Sequence, residues 1–456
     1  MIHVPAPARA ALLLSSLLVC APASAQTAYR VRDIATGTEG VSLGISGMGA
    51  AAGAVYFGTY SQDRAYAQLW RTDGTAAGTH PVRDFGPDAT DAPTMFTPVP
   101  FGAYFFASRS IWKIDASGIP TKIRDLGRTP TSPPIAVGNT IVFVLDSGGD
   151  AGGELWATDG TSVERLSTSI PGGELFEPVV LGDAMIYLAS DDAHGLELWR
   201  SDGTPSGTRL LADLNPGSEW SSINRLARFG DRVYFAGYDG SRWGLWSNDG
   251  TSGAPSLVRE FAAPFGYDIV AAGDYLYFTS DGAKLWRSDG TEQGTVRLAV
   301  MDWIQGLTAV GRTVFFQQGG GEQGGILWTS DGSFGGTHAV SGFLRVGLPN
   351  SSSTSVASIA GRLLFSASDG VHGFEPWVSD GTAERTRMLA DIAPGLPSSG
   401  PQSFSLAGGL AYFSANDGAT GRELWAIPVE ALASEERAPV SVGRPPGTTR
   451  ALEPRP

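Results

Sequence analysis

Cysteine is nearly missing from this chain: among 456 residues there is only Cys20. That excludes a disulfide framework, since Cys20 itself falls in an N-terminal segment that reads as removable. Lysine is scarce too, at Lys113, Lys122 and Lys284 alone, and acidic residues outnumber basic ones, giving a formal net charge of −14. Nucleic acid and anionic membrane surfaces both demand a basic face, so neither is expected as a partner. Beyond the N-terminal segment no apolar run reaches the roughly 18 residues that a membrane helix needs. Also missing are the zinc motif H-E-x-x-H, the G-x-S-x-G of serine hydrolases and any mature Cys/His pair.

What is present begins with an export signal. Arg9 supplies the charge, residues 11–19 the apolar stretch, and Ala23-Ser24-Ala25 a small-x-small cleavage site. Residues 1–25 are therefore expected to be removed, the mature chain starting at Gln26, and the protein to be secreted, either periplasmic or extracellular. Lipidation at Cys20 is disfavoured because Val19 stands where a small side chain is wanted. With 42% hydrophobic residues the mature chain can build a core, and 61 glycines and 29 prolines suit a turn-dense all-β fold.

The main signal is an internal repeat. Tryptophans recur at Trp70, Trp112, Trp156, Trp199, Trp246, Trp286, Trp328, Trp377 and Trp425, on average 44.4 residues apart, most inside a Leu-Trp pair. That period matches a four-stranded propeller blade. The unit from Asp213 to Asp249 parses cleanly: residues 223–228 and 232–236 flank Gly230-Asp231, and 244–247 and 256–261 flank Asp249-Gly250-Thr251. Apolar alternation bounded by Gly-Asp or Asp-Gly pairs is a hairpin pattern, because such turns need residues that accept positive φ.

Strings such as ELWRSDGTPSGTRLLADLNPGS (197–218) and ASDDAHGLELW (189–199) resemble the bacterial ELWxxDGT repeat proteins. The resemblance spans about residues 27–427 and implies a secreted propeller of largely uncharacterised biochemistry. The unit at Trp112 departs most, lacking Asp-Gly-Thr, and Pro376 replaces leucine before Trp377.

The two ends complement each other. Tyr29-Arg30-Val31-Arg32-Asp33-Ile34 matches the fourth strand of other units, such as 209–214, while the last unit stops after its third strand near Ile427. The expected fold is therefore an all-β single β-propeller over 26–427, closed by the N-terminal strand so that no edge is exposed. Nine blades are expected; eight, with the Trp112 unit absorbed elsewhere, is the alternative. A monomer is expected. Residues 428–456, with six prolines, read as a disordered tail with at most a short helix near 430–437.

Aspartates occupy one turn position at Asp73, Asp159, Asp202, Asp249, Asp289, Asp331 and Asp380. Repeated carboxylates would suit calcium, but an Asp that bonds its own turn amides explains a once-per-blade residue better. No cofactor is expected. The repeat tryptophans are read as packed within their blade or against the next, each indole N–H meeting a backbone acceptor, and Trp220, Trp243 and Trp303, outside the register, as loop or core packing before ligand platforms. Candidate ligand residues lie instead in the loops between the second and third strands: Asp191, Asp192, His194, Asp239, Asp369, His372 and Asp417. Strand parity puts these loops on the same face as the blade-to-blade crossovers. A metal shared by His194 and His372 is not expected, since they sit four blades apart. The function read from the sequence is a non-catalytic binding or scaffold module for a protein, glycan or surface polymer, with no catalytic residues assigned. A propeller glycoside hydrolase or polysaccharide lyase is the alternative. A quinoprotein-like propeller is the second, because 415–427 resembles the tryptophan-docking repeat of those enzymes.

Overall fold

The computed structural model describes residues 28–433 apart from 35–43, 62–65, 148–151, 171–175, 224, 252, 263–264, 281–282, 320–324 and 347–354. The expected signal segment and residues 434–456 lie outside the described residues. The described chain is almost wholly β: 36 strands, a three-residue 3-10 turn and one short helix. Seven antiparallel sheets have four strands, and an eighth has eight strands that divide into two four-stranded repeats at 304–346 and 356–388. Those two are bridged by the pairs Arg345–Ser368 and Val346–Ala367. The remaining repeats span 44–86, 94–125, 135–170, 176–212, 226–261, 265–300 and 402–428. The degenerate Trp112 unit forms its own four-stranded sheet, with strands Thr94–Val99, Gly102–Ala107, Ser110–Ile114 and Pro120–Asp125.

Each repeat is built alike because each carries the same local instructions. Strand Arg232–Tyr238 alternates apolar and aromatic residues and pairs along its length with Trp243–Asn248. The turn before it places Gly230 at φ 63°, a conformation open to glycine at no steric cost. Phe235 is wholly buried, and burying such a ring contributes about 1.5–3 kcal/mol. The fourth strands, by contrast, read like Ser256–Phe261, with charged residues at an edge where they discourage sheet-to-sheet association.

The packing is propeller-like. Nine buried clusters lie between repeats among the described residues, each drawing on two that are consecutive in the chain or, in one case, on the first and last. That last cluster joins Val55, Phe57 and Trp70 to Val31, Tyr412 and Leu424. Apart from those of 135–170 and 176–212, the first strands of neighbouring repeats lie side by side, those of the last and first repeats included. Strand Tyr29–Arg32 pairs antiparallel with Arg422–Pro428 and completes the last sheet. The helix Val429–Ala433 follows directly, inside the segment expected to be a tail. It buries Leu432 among Leu389 and Ile427, so order extends past 427.

Candidate functional site at the crossover face

The Asp-Gly-Thr turns are self-contained hydrogen-bond units. Asp289 Oδ1 accepts the Thr291 N–H at 2.9 Å and the Thr291 hydroxyl at 2.7 Å. Gly294 N–H donates to Thr291 Oγ1, Thr295 Oγ1 to the Thr291 carbonyl, and the Ser288 and Thr295 hydroxyls meet at 2.7 Å. The arrangement recurs at Asp73, Asp202, Asp331 (with Ser333) and Asp380. Asp159 and Asp249 keep the aspartate bonds. Backbone amides of Ser162 and Thr161 hold the Asp159 carboxyl far below the usual carboxylate range. These aspartates serve the fold. Among the described residues no group of three or more His, Cys, Asp and Glu is placed to hold a metal.

The loops between second and third strands use their aspartates the same way. Asp191 accepts from the Ala193 and His194 amides and from His194 Nδ1 at 2.8 Å. Partial burial opposes ionisation of Asp191, but the His194 bonds outweigh it and lower its pKa, while the same bond raises that of His194. Asp369 accepts from the Val371 and His372 amides and lies 2.9 Å from His372 Nδ1. Asp239 accepts from Ser241 and Arg242; despite burial these bonds bring it down to about 2. Asp417 accepts from Ala419 and Thr420 and faces Arg30 at 3.6 Å. Asp192 is exposed. Of the seven candidates, then, four carboxylates are engaged by their own turns, and each histidine pairs with the aspartate three residues before it. The structure does place these loops on the crossover face: Gly373 N–H donates to Gly395 O, and Tyr238 N–H to Ser221 O.

The repeat tryptophans divide by partner. Trp112, Trp246 and Trp425 donate to the backbone carbonyls of Ala107, Gly237 and Ala415. Trp70, Trp156 and Trp286 donate to the side chains of Gln68, Glu154 and Ser280. The indole N–H groups of Trp199, Trp328 and Trp377 are buried with no partner among the described residues. The expectation of a backbone acceptor thus holds for Trp112, Trp246 and Trp425 and fails for the other six, three of which have a side-chain oxygen within reach instead. Outside the register, Trp243 tilts against Tyr238 with ring centroids 5.1 Å apart, but Trp220 and Trp303 are 62% and 60% exposed. Packing was the expectation for all three; it holds for Trp243 alone.

Two buried carboxylate systems were not legible as sites. Glu197 and Glu375, the glutamates of Glu-Leu-Trp and Glu-Pro-Trp, are wholly buried. Glu197 accepts from the Leu214 and Asn215 amides, and Glu375 from Ile392, Ala393 and Ser399, the Ser399 hydroxyl lying at 2.6 Å. Each pins the crossover that leads to the next repeat. Burial pushes Glu197 up to about 7 against those donors, and raises Glu375 too. The second system ties two first strands to the residue that precedes a third. Asp268 accepts the Gly306 N–H at 2.9 Å and lies 3.7 Å from Arg225 Nη1.

No family model matches the chain, and no curated protein matches it in sequence. Among solved structures it is similar to the computationally designed Ika8 protein, at 14% identity and a TM-score of 0.45, covering 87% of this chain and 99% of that one. It is also similar to BamB from Moraxella catarrhalis, at 15% identity and a TM-score of 0.40, covering 72% and 92%. A third is a puromycin-hydrolyzing peptidase of Mycobacterium tuberculosis, at 14% and 0.40, covering 73% and 59%. Among the described residues no helix is long and apolar enough to cross a membrane.

Proposed function

We propose that the repeats close into one nine-bladed ring of the ELWxxDGT type and that the protein is a secreted, non-catalytic binding module. Closure is supported by contacts that repeat around the chain and recur between its ends. Arg259 donates to the Glu292 and Thr295 carbonyls of the next repeat's turn, and Arg32 donates in the same way to Ala76 and Thr79. Tyr56 Oη donates to the carbonyl of Gly118 in the following repeat; across the chain ends Tyr29, not the matching Tyr412, donates to that of Gly74.

One observation carries the non-catalytic reading. The repeated Asp and His side chains that would attract a catalytic assignment are bonded within their own turns. The first strands, which would line the channel of a closed ring, carry two carboxylates, Glu177 and Asp268; among the described side chains there is Asp268 alone, and Arg225 offsets it. Glycoside hydrolysis calls for two carboxylates about 5–10 Å apart.

The test pairs a polysaccharide panel, assayed for new reducing ends and unsaturated products, with binding to the same polymers and to envelope proteins. Binding without product formation is expected; release above that of boiled protein refutes the reading. Ring closure is tested separately by cysteines at positions 29 and 426, which face each other in the sheet. A cross-link under oxidation is expected, and its absence in folded protein overturns closure.

A further inference from the structure

We propose that Trp303, Gln305 and Arg225 form a binding site for a neutral oligosaccharide on the crossover side of the fifth to seventh repeats (226–261, 265–300 and 304–346). The proposal rests on the binding-module reading and names its ligand class. The side chains are connected step by step. Arg225 faces Asp268, Asp268 accepts from Gly306, and the neighbouring Gln305 accepts the Trp303 indole N–H at 3.0 Å. Two consecutive first strands, Phe265–Ala272 and Ile304–Val310, are thus tied to each other and to the residue that leads into the one before them.

Trp303 is an unusual choice for its position. In other crossovers the chain turns through a left-handed residue just after a carbonyl that is bonded to the end of the second strand. Ser399 accepts from Asn416 and is followed by Gly400 at φ 54°; Ser221 accepts from Tyr238 and is followed by Ser222 at φ 54°. The third instance is Asp302, which accepts from Gly319 and is followed by Trp303 at φ 53°. A bulky aromatic is strained where glycine or serine fits, and this one gains no burial in return, being 60% exposed with no described ring against it. Its orientation is nonetheless fixed by Gln305. A large, solvent-facing indole, hydrogen-bonded through its N–H and burying little within the chain, leaves a face free for stacking.

The surrounding chemistry selects the ligand. Arg225 and Asp268 offset each other and Asp302 beside Trp303 is exposed, so these described side chains offer no cationic excess to attract an anionic polymer. A contiguous apolar patch would mark a protein interface, and Trp220 and Trp303 form none, standing in separate crossovers. A pyranose needs less: one indole face for its C–H face, which the negative ring face attracts, and amide, guanidinium or carboxylate groups for its hydroxyls.

The test is calorimetric titration with cello-, xylo-, manno- and chitohexaose, each to about 5 mM, near the weak end of measurable affinity. At least one is expected to bind. Trp303→Ala should weaken it by about tenfold or more, as for a central aromatic anchor, Trp303→Phe should recover most of the loss, and Trp220→Ala should leave affinity unchanged. Equal melting temperatures establish that the variants fold. A hexasaccharide that binds Trp303→Ala as tightly as the unmodified protein overturns the site and leaves the binding-module reading standing. If none binds, the saccharide class is overturned, and capture of a lysine-rich peptide or an envelope protein would then identify the module's ligand instead. Product release from any hexasaccharide overturns the non-catalytic reading itself.

Discussion

The Ile34 N–H donates to Glu423 Oε2 at 3.0 Å, across 389 positions of sequence. Leu214 meets Glu197, and Ile392 meets Glu375, in the same way across only 17. The segment at the start of the chain thus does for the last repeat what a crossover does for its own. Deleting residues 26–34 is expected to lower the melting temperature by at least about 5 °C and, by exposing a strand edge, to cause association. Thermal unfolding and light scattering check this; a monomer of unchanged stability contradicts it.

Glu197 gives the fold a signed pH response. Burial raises its folded pKa from 4.5 to about 7, so the folded state holds the proton more tightly than the unfolded chain does. Its contribution is therefore fully present below pH 4.5, declines as the pH rises to about 7, and is flat above. The full change is on the order of 3 kcal/mol. Replacing Glu197 with Gln should flatten the urea midpoint between pH 5 and 7 relative to the unmodified protein. Parallel profiles would show that the carboxyl titrates normally.

Two glycines separate backbone strain from packing. Gly53 has φ 73° and open space around it, so Gly53→Ala should cost about 1 kcal/mol. Gly74 has φ 92°, and an added Cβ would overlap Leu410 Cδ1 and come within 2.9 Å of Tyr412 Oη in the last repeat. Gly74→Ala should cost at least about 2–3 kcal/mol. Chemical denaturation of both variants measures the difference, and equal losses would mean that the first and last repeats are not tightly packed.

Metal removal should do little. The turn aspartates are already bonded to Thr hydroxyls and amides, as Asp202 is to Thr204. Calorimetric melting in EDTA and in millimolar calcium is expected to coincide; a calcium-dependent rise would restore an ion to these turns.

Much of the fold was legible because each instruction is local and repeated. Asp289 finds its partners within two residues, and Trp246 sits in a strand whose turns are marked by Asp-Gly pairs. The terminal strand was legible by its likeness to 209–214. The crossover anchors were not. Glu197 reads as a polar residue on an edge of alternation, yet its partners lie 17 and 18 positions on. A signal existed: the crossovers after Glu197 and Glu375 both carry Asp-Leu or Asp-Ile, then Pro-Gly. Asp268 and Gly306, 38 positions apart, offered none. The exposure of Trp303 was hidden too, because it depends on a backbone angle that nothing nearby in the sequence enforces.

The strand that completes the last sheet is the first to be synthesised. At ordinary elongation rates of about 5–20 residues per second, the 389 positions between Ile34 and Glu423 take about 20 to 80 s to be made. During that interval Tyr29–Arg32 has no partner strand, and the first repeat has no last repeat to pack against. The last sheet therefore cannot be completed until its third strand has been made. Until Arg422–Pro428 has been made, the first strand is an edge without a sheet.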